Sequence, residues 1–132
     1  MNKDKSQLLK ELNHEEKDVR LENLRQLMIK INDGELPRPK TGNDVNNHIH
    51  TSYSFSPYSP TRAVWMAYQS GLATAGIMDH DSISGAEEFI EAGKIARIAT
   101  TIGVECRVDF SKTPLAGRRI NNPDQDSIAY MT

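Results

Sequence analysis

"LATAGIMDHD", residues 72–81, is an apolar run that ends abruptly in ionisable side chains. A strand buried on both faces of a parallel sheet reads as a nearly continuous apolar stretch, and it hands its last residues to a loop. The stretch therefore predicts a central parallel strand that presents Asp79, His80 and Asp81 at its C-terminal end. Just upstream, "SPTRAVWMAYQSG" (59–71) reads as a helix, with Ser59 at the N-cap, Pro60 at the first helical position and Gly71 as terminator. Ahead of it, "VNNHIHTSY" (45–53) reads as a strand. Downstream, "SGAEEFIEAGKIAR" (84–97) predicts a helix with a Ser84/Glu87 capping box and an inner face of Ala86, Phe89, Ile90 and Ile95. "IATTIGVECRVDF" (98–110) supplies a third strand, and the tail, 111–132, is expected to be mostly loop. The order strand–helix–strand–helix–strand predicts an α/β fold with a parallel sheet.

The first third follows a helical period. Asp4 and Gln7 can cap a short helix whose apolar face is Leu8, Leu9 and Leu12. Asn13 with Glu16 repeats the signal, and Leu21, Leu24, Leu27, Met28 and Ile31 recur at helical spacing until Gly34. "ELPRPKTGND" (35–44), with two prolines and a glycine, interrupts every pattern. Three parts are expected: a helical segment, 1–34, a linker, 35–44, and a site-bearing part, 45–132, with the helices as a separate subdomain.

Composition narrows the classes. At 132 residues, with a formal charge of −2, the chain has no global field favouring nucleic acid or an anionic membrane. The single cysteine, Cys106, excludes an internal disulfide framework and suits a reducing cytoplasm. The N-terminus, "MNKDKSQLLKELNHEEKD", has no uninterrupted apolar core and is expected to be neither a secretory signal nor a membrane span.

Three of the four histidines fall at predicted strand ends. Side chains alternate along a strand, so His48 and His50 project to one side, roughly 6–7 Å apart, close enough to share an ion. The third strand places Glu105, Arg107 and Asp109 on one face and Val104, Cys106, Val108 and Phe110 on the other, which suits covering helices. Parallel α/β folds gather active residues at the carboxyl ends of strands. A lone His-x-His pair or a lone strand glutamate carries little weight; their joint placement on successive strands points to a metal site. His14 reads as a solvent-facing helical residue, and Cys106 as a small buried hydrophobe.

The run from "HIHTSYSFSPYS" through "GLATAGIMDHD" to "TIGVE" resembles the N-terminal half of the PHP (polymerase and histidinol phosphatase) domain. That resemblance implies the N-terminal part of a distorted seven-stranded β/α barrel with up to three divalent ions, zinc, manganese or iron. By position, His48, His50 and His80 would be metal ligands and Glu105 would bridge two ions. Asp79 would serve beside them, orienting a ligand or assisting proton transfer, and "TSYSFSPYS" would run over the cluster. Arg107, or Arg118 and Arg119, would neutralise charge on a bound phosphate. Phe55 and Ser56 stand where members often carry an acidic residue or histidine, which leaves one ligand of a third metal without a counterpart.

The expected activity is hydrolysis of a small-molecule or nucleotide phosphate ester by metal-activated water. A metal-binding or scaffold module without catalysis is the alternative. No histidine follows His80, so residues 1–132 are expected to be an N-terminal fragment that binds metal weakly and turns over little. Self-association through the helices or an open sheet edge would compensate.

Overall fold

The structure, a computed structural model, describes residues 4–132. Its elements run α1 (Lys5–Glu11), α2 (Lys17–Asn32), β1 (Val45–Ile49), α3 (Pro60–Gln69), β2 (Thr74–His80), α4 (Ala86–Ala96), β3 (Ala99–Asp109) and β4 (Ile128–Met131). The sheet order is β1-β2-β3-β4, with β1, β2 and β3 parallel and β4 antiparallel to β3. The two helical crossovers between parallel strands make this an α/β sheet, consistent with part of a β/α barrel and preceded by two helices. No helix among the described residues is long and apolar enough to cross a membrane.

The tail departs from expectation. Residues 128–131 form β4 rather than loop, pairing Tyr130 with Arg107 and Ile128 with Asp109. "IAYM" is too short to carry a period of its own, so the pairing comes from the open edge of β3.

The helical segment does not form a separate unit. Leu8, Leu12, Leu21, Leu24 and Leu27, none more than 1% exposed, lie in one cluster with Val64, Trp65, Ile77 and Phe89. Burying each leucine is worth about 1.5–3 kcal/mol relative to exposure, so α1 and α2 belong to the core of the sheet-covering helices. A buried polar network fastens them further. The Arg20 guanidinium donates to both carboxylate oxygens of Glu88, and Glu88 Oε1 also accepts from the Thr61 amide at 3.1 Å and hydroxyl at 2.7 Å. One carboxylate thus joins α2 and α4 to the first turn of α3. The 35–44 segment is tied down as well: Gly42 N–H donates to Gly71 O and Ala73 N–H to Asp44 O, both at 2.8 Å. Gly71, at φ +75°, ends α3, and a Cβ there would lie 2.3 Å from the Lys40 carbonyl oxygen.

Local capping explains several boundaries. Asp4 and Gln7 form the expected reciprocal box on α1, and the Ser59 side chain caps α3. Asn13 does not cap α2: its Oδ1 accepts the Ser59 amide at 2.9 Å, joining the α1–α2 turn to the start of α3. His14 lies in that turn, not in a helix, and its Nδ1 accepts the Glu16 amide at 3.0 Å. Helix α4 starts at Ala86 with Gly85 as its cap and no side-chain bond, so the Ser84/Glu87 box is absent. On β3 the helix-facing side is covered unevenly: Thr100 packs under Gly93, Val104 and Val108 are half-buried and Phe110 is buried, while Ile102 is 43% exposed and Cys106 is exposed.

Candidate metal centre

Strand β1 carries an irregularity at the point where its histidines begin. Asn46 is level with Ala75 but Ile49 is level with Ile77, so β1 holds one residue more than β2 over this interval. Such a bulge bends the strand and re-aims its side chains. The Asn46 side chain accepts the His48 amide at 3.0 Å, and Asn47 Oδ1 accepts from the Thr101 hydroxyl at 2.9 Å across the sheet. Opposite the bulge stands Gly76, where a Cβ would lie 2.7 Å from Asn47 Cα and 2.2 Å from Thr101 Oγ1. Only glycine admits so close a backbone approach. Simple alternation predicted one face for His48 and His50; the bulge and Gly76 set how they meet.

The three strand ends converge on one oxygen. Glu105 Oε2 lies 3.1 Å from His48 Nε2, 3.5 Å from His50 Nε2 and 3.4 Å from His80 Nε2. His80 and Glu105 are register partners on β2 and β3, which fixes their common face. Imidazole nitrogens and a carboxylate oxygen this close together could share one ion, since ligand atoms about 2.0–2.2 Å from a tetrahedral zinc lie roughly 3.3–3.5 Å apart. One ligand atom each from His48, His50 and Glu105 fall within 4.8 Å of one another. His80 joins through Glu105: its ring stacks on His50 with centroids 4.7 Å apart and planes 7° from parallel. Imidazole and carboxylate ligands suit zinc, manganese or iron.

Exposure falls from 49% for the His48 side chain to 27% for His50 and 14% for His80, so the cluster opens on the His48 side. Burial, followed by the neighbouring His80 and His48, pushes the His50 pKa below its ordinary value against the opposing pull of Glu105. Neutral imidazole is the form that binds a metal. Around His80 stand Phe55, 79% exposed, and Tyr130, with ring centroids 4.8 and 4.9 Å away.

Asp79 lies on the other side of β2, alternating with the buried Ala75 and Ile77, and is 1% exposed. Its carboxylate is fully engaged. Oδ1 accepts the Thr51 amide and the Ser54 hydroxyl, and Oδ2 accepts the Thr51 hydroxyl, each at 2.6 Å. The 51–56 loop is wrapped over this acid, with the Ser54 and Ser56 amides donating to the Thr51 carbonyl. Sequence pattern does not single out Thr51 or Ser54 individually; the signal for them is two short hydroxyl side chains just after a histidine pair, in a chain whose buried strand also ends in an acid.

The arginines fare differently. Arg107 donates to Asp81 through both its amide, at 3.1 Å, and Nε, at 2.8 Å, and so stands beside the strand end that carries His80. These bonds, the amide's first, hold the Asp81 carboxyl below the usual carboxylate range. Asp81 therefore anchors Arg107 and does not cap α4. Arg118 and Arg119 lie on the exposed segment between β3 and β4, where Arg119 pairs with Asp126 at 2.9 Å. Among the described residues no contact joins either to the cluster.

Residues 46–128 match the family model of the PHP domain. Over 63 residues the chain is 35% identical to a 5'-3' exoribonuclease of Haemophilus influenzae, a stretch that is 48% of this chain and 23% of that protein. A crystal structure described as a metal-dependent phosphoesterase of Bifidobacterium adolescentis is 28% identical, with a TM-score of 0.47, over 58% of this chain and 26% of that one. The matches therefore span about a quarter of the length of each relative. The family match takes in His48, His50, His80 and Glu105 together, and the chain belongs to the PHP domain family.

Proposed function

We propose that this PHP domain holds divalent metal at His48, His50, His80 and Glu105 for the hydrolysis of a phosphate ester. The observation that carries the reading is the approach of three imidazole nitrogens to within 3.5 Å of one carboxylate oxygen. A divalent ion held there supplies an acidic water near neutral pH and positive charge for phosphate oxygens. His48, His50, His80 and Glu105 would hold it, and it would supply a Lewis acid and an activated water. Arg107, oriented by Asp81, lends a cation at the rim for the substrate. Arg118 and Arg119 would reach a phosphate only by movement of the segment after β3. Asp79 acts by holding the loop. The substrate class is a small-molecule or nucleotide phosphate ester, and the metal zinc, manganese or iron. A reducing cytoplasm suits the single cysteine, and the outer strands β1 and β4 offer edges for self-association.

A non-catalytic metal-binding module is the second reading. It is favoured by Phe55, a 79% exposed apolar side chain at the rim where an acidic ligand would extend the site. Calorimetric titration with zinc and manganese, together with turnover of an aryl phosphate, separates the two. Hydrolysis that requires added metal and is abolished in His48→Ala supports the enzyme. Metal binding with no turnover on mono- or diesters supports the module, and no binding of either ion sinks both.

A further inference from the structure

Phe55 is 79% exposed, the most exposed large apolar side chain among the described residues. Single exposed apolar residues are common on protein surfaces. This one is not loosely held. The amides on either side of it, Ser54 and Ser56, both donate to the Thr51 carbonyl, and the Ser54 hydroxyl donates to the buried Asp79. The loop thus keeps an aromatic ring in water at a fixed place, its centroid 4.8 Å from that of His80.

A second ring arrives from far along the chain. Tyr130, on β4, is the register partner of Arg107, so the two side chains share the face of the sheet that carries Glu105. The Asn121 side chain accepts the Tyr130 amide at 2.8 Å and donates to its carbonyl at 3.1 Å, which pins the backbone there. The Tyr130 ring centroid is 4.9 Å from that of His80. Phe55 and Tyr130 stand at 72° and 61° to the imidazole, and among the described residues neither stacks on the other. Beside Tyr130, Arg107 spends its Nε on Asp81 and makes no hydrogen bond through Nη1 or Nη2 among the described residues. The outer edge of the guanidinium is left to meet a phosphate.

We propose that Phe55 and Tyr130 form the subsite for the organic group of the ester, and that this group carries a flat aromatic ring, a nucleobase or an aryl group, that stacks on them. Aromatic faces recognise flat rings by stacking, whereas a sugar or polyol ester offers no such face. With a cation beside Tyr130 and the metal ligands adjacent, the phosphate and the ring of one small ester are met together. The inference rests on the phosphate-ester reading and names the class of ester. If the two rings only shielded His80 from water, apolar bulk would suffice, and leucine supplies that equally.

The full chain is titrated, with and without zinc, by adenosine 5′-phosphate, phenyl phosphate and ribose 5-phosphate, and the Phe55 and Tyr130 ring signals are followed by NMR. Both ring-bearing esters should bind about 5–150-fold more tightly than ribose 5-phosphate, the range that stacking on an aromatic side chain supplies. They should also shift the ring signals of both residues more than ribose 5-phosphate does. The preference should shrink severalfold in Phe55→Leu and in Tyr130→Leu, and persist in Tyr130→Phe, which keeps the ring. Tighter binding of adenosine 5′-phosphate than of phenyl phosphate would uphold the subsite as one for a nucleobase, and equal binding of the two as one for any flat ring. Equal affinity for all three esters, binding of none, or a preference undiminished in both leucine variants would overturn the proposal. The ring preference in a chain that binds no zinc would uphold the subsite and defeat the metal-binding reading alone.

Discussion

His80 and Glu105 are partners across the parallel β2–β3 pair, and their functional atoms, Nε2 and Oε2, lie 3.4 Å apart. One backbone ladder thus fixes this pair, and the same oxygen meets His48 from β1 and His50 just beyond its end. Replacing Glu105 by glutamine keeps the shape and removes the charge. Zinc or manganese affinity should fall by at least about tenfold, with the thermal midpoint of the metal-free chain little changed. Calorimetry and a melting curve check both, and undiminished affinity would remove Glu105 from the site.

Gly76 tests the bulge. An alanine there places its Cβ 2.7 Å from Asn47 Cα and 2.2 Å from Thr101 Oγ1, so the β1 backbone and the Thr101 side chain must both give way. Overpacking of this kind costs about 1–3 kcal/mol. Gly76→Ala should lower stability by that amount and weaken metal binding too, because His48 and His50 ride on the displaced strand. Urea denaturation and a metal titration on the same sample measure the two effects. Loss of stability with full metal affinity would show that the bulge does not place the histidines.

The Arg20–Glu88 pair, 8% and 3% exposed, tests whether the N-terminal helices are integral. Removing one member leaves a buried charge uncompensated, at a cost of about 3–5 kcal/mol. Arg20→Met and Glu88→Gln should each destabilise the whole chain in one cooperative transition, and the double variant should lose less than the sum. Separate unfolding of the helical segment in the unmodified chain would contradict the shared core.

Asp81 carries a pH signature. Its pKa is depressed first by the Arg107 amide and then by the guanidinium, so its favourable contribution is present above the unfolded-state pKa. That contribution is lost as pH falls through the lower folded value. Arg107→Ala keeps the amide, so the Asp81 pKa should rise only part of the way toward the ordinary carboxylate value. An NMR titration of the Asp81 carboxyl reads the shift, and full return to the ordinary value would assign the effect to the side chain alone.

Local pattern was enough for much of this protein. The apolar run 72–78 ending in Asp79-His80-Asp81, the Ser59-Pro60 helix start and the Gly71 stop specify β2 and α3 through short-range sterics and capping. With the flanking strands, that pattern also placed His48, His50, His80 and Glu105 at neighbouring strand ends, because parallel crossovers leave those ends together. What the residues do to one another depended on contacts between segments far apart in sequence. Glu88 reads as a surface helical glutamate until Arg20, 68 residues away, meets it in the core. β4 exists because β3 has an edge to pair with, and the β1 bulge because Gly76 leaves room beneath Asn47. Asp79 reads as a neighbour of the metal ligands, yet strand alternation turns it to the opposite face, where Thr51 and Ser54 claim its oxygens. Periodicity assigns a side chain to a face, but its partners are chosen by the packing of elements, and that information lies in no single stretch of the chain.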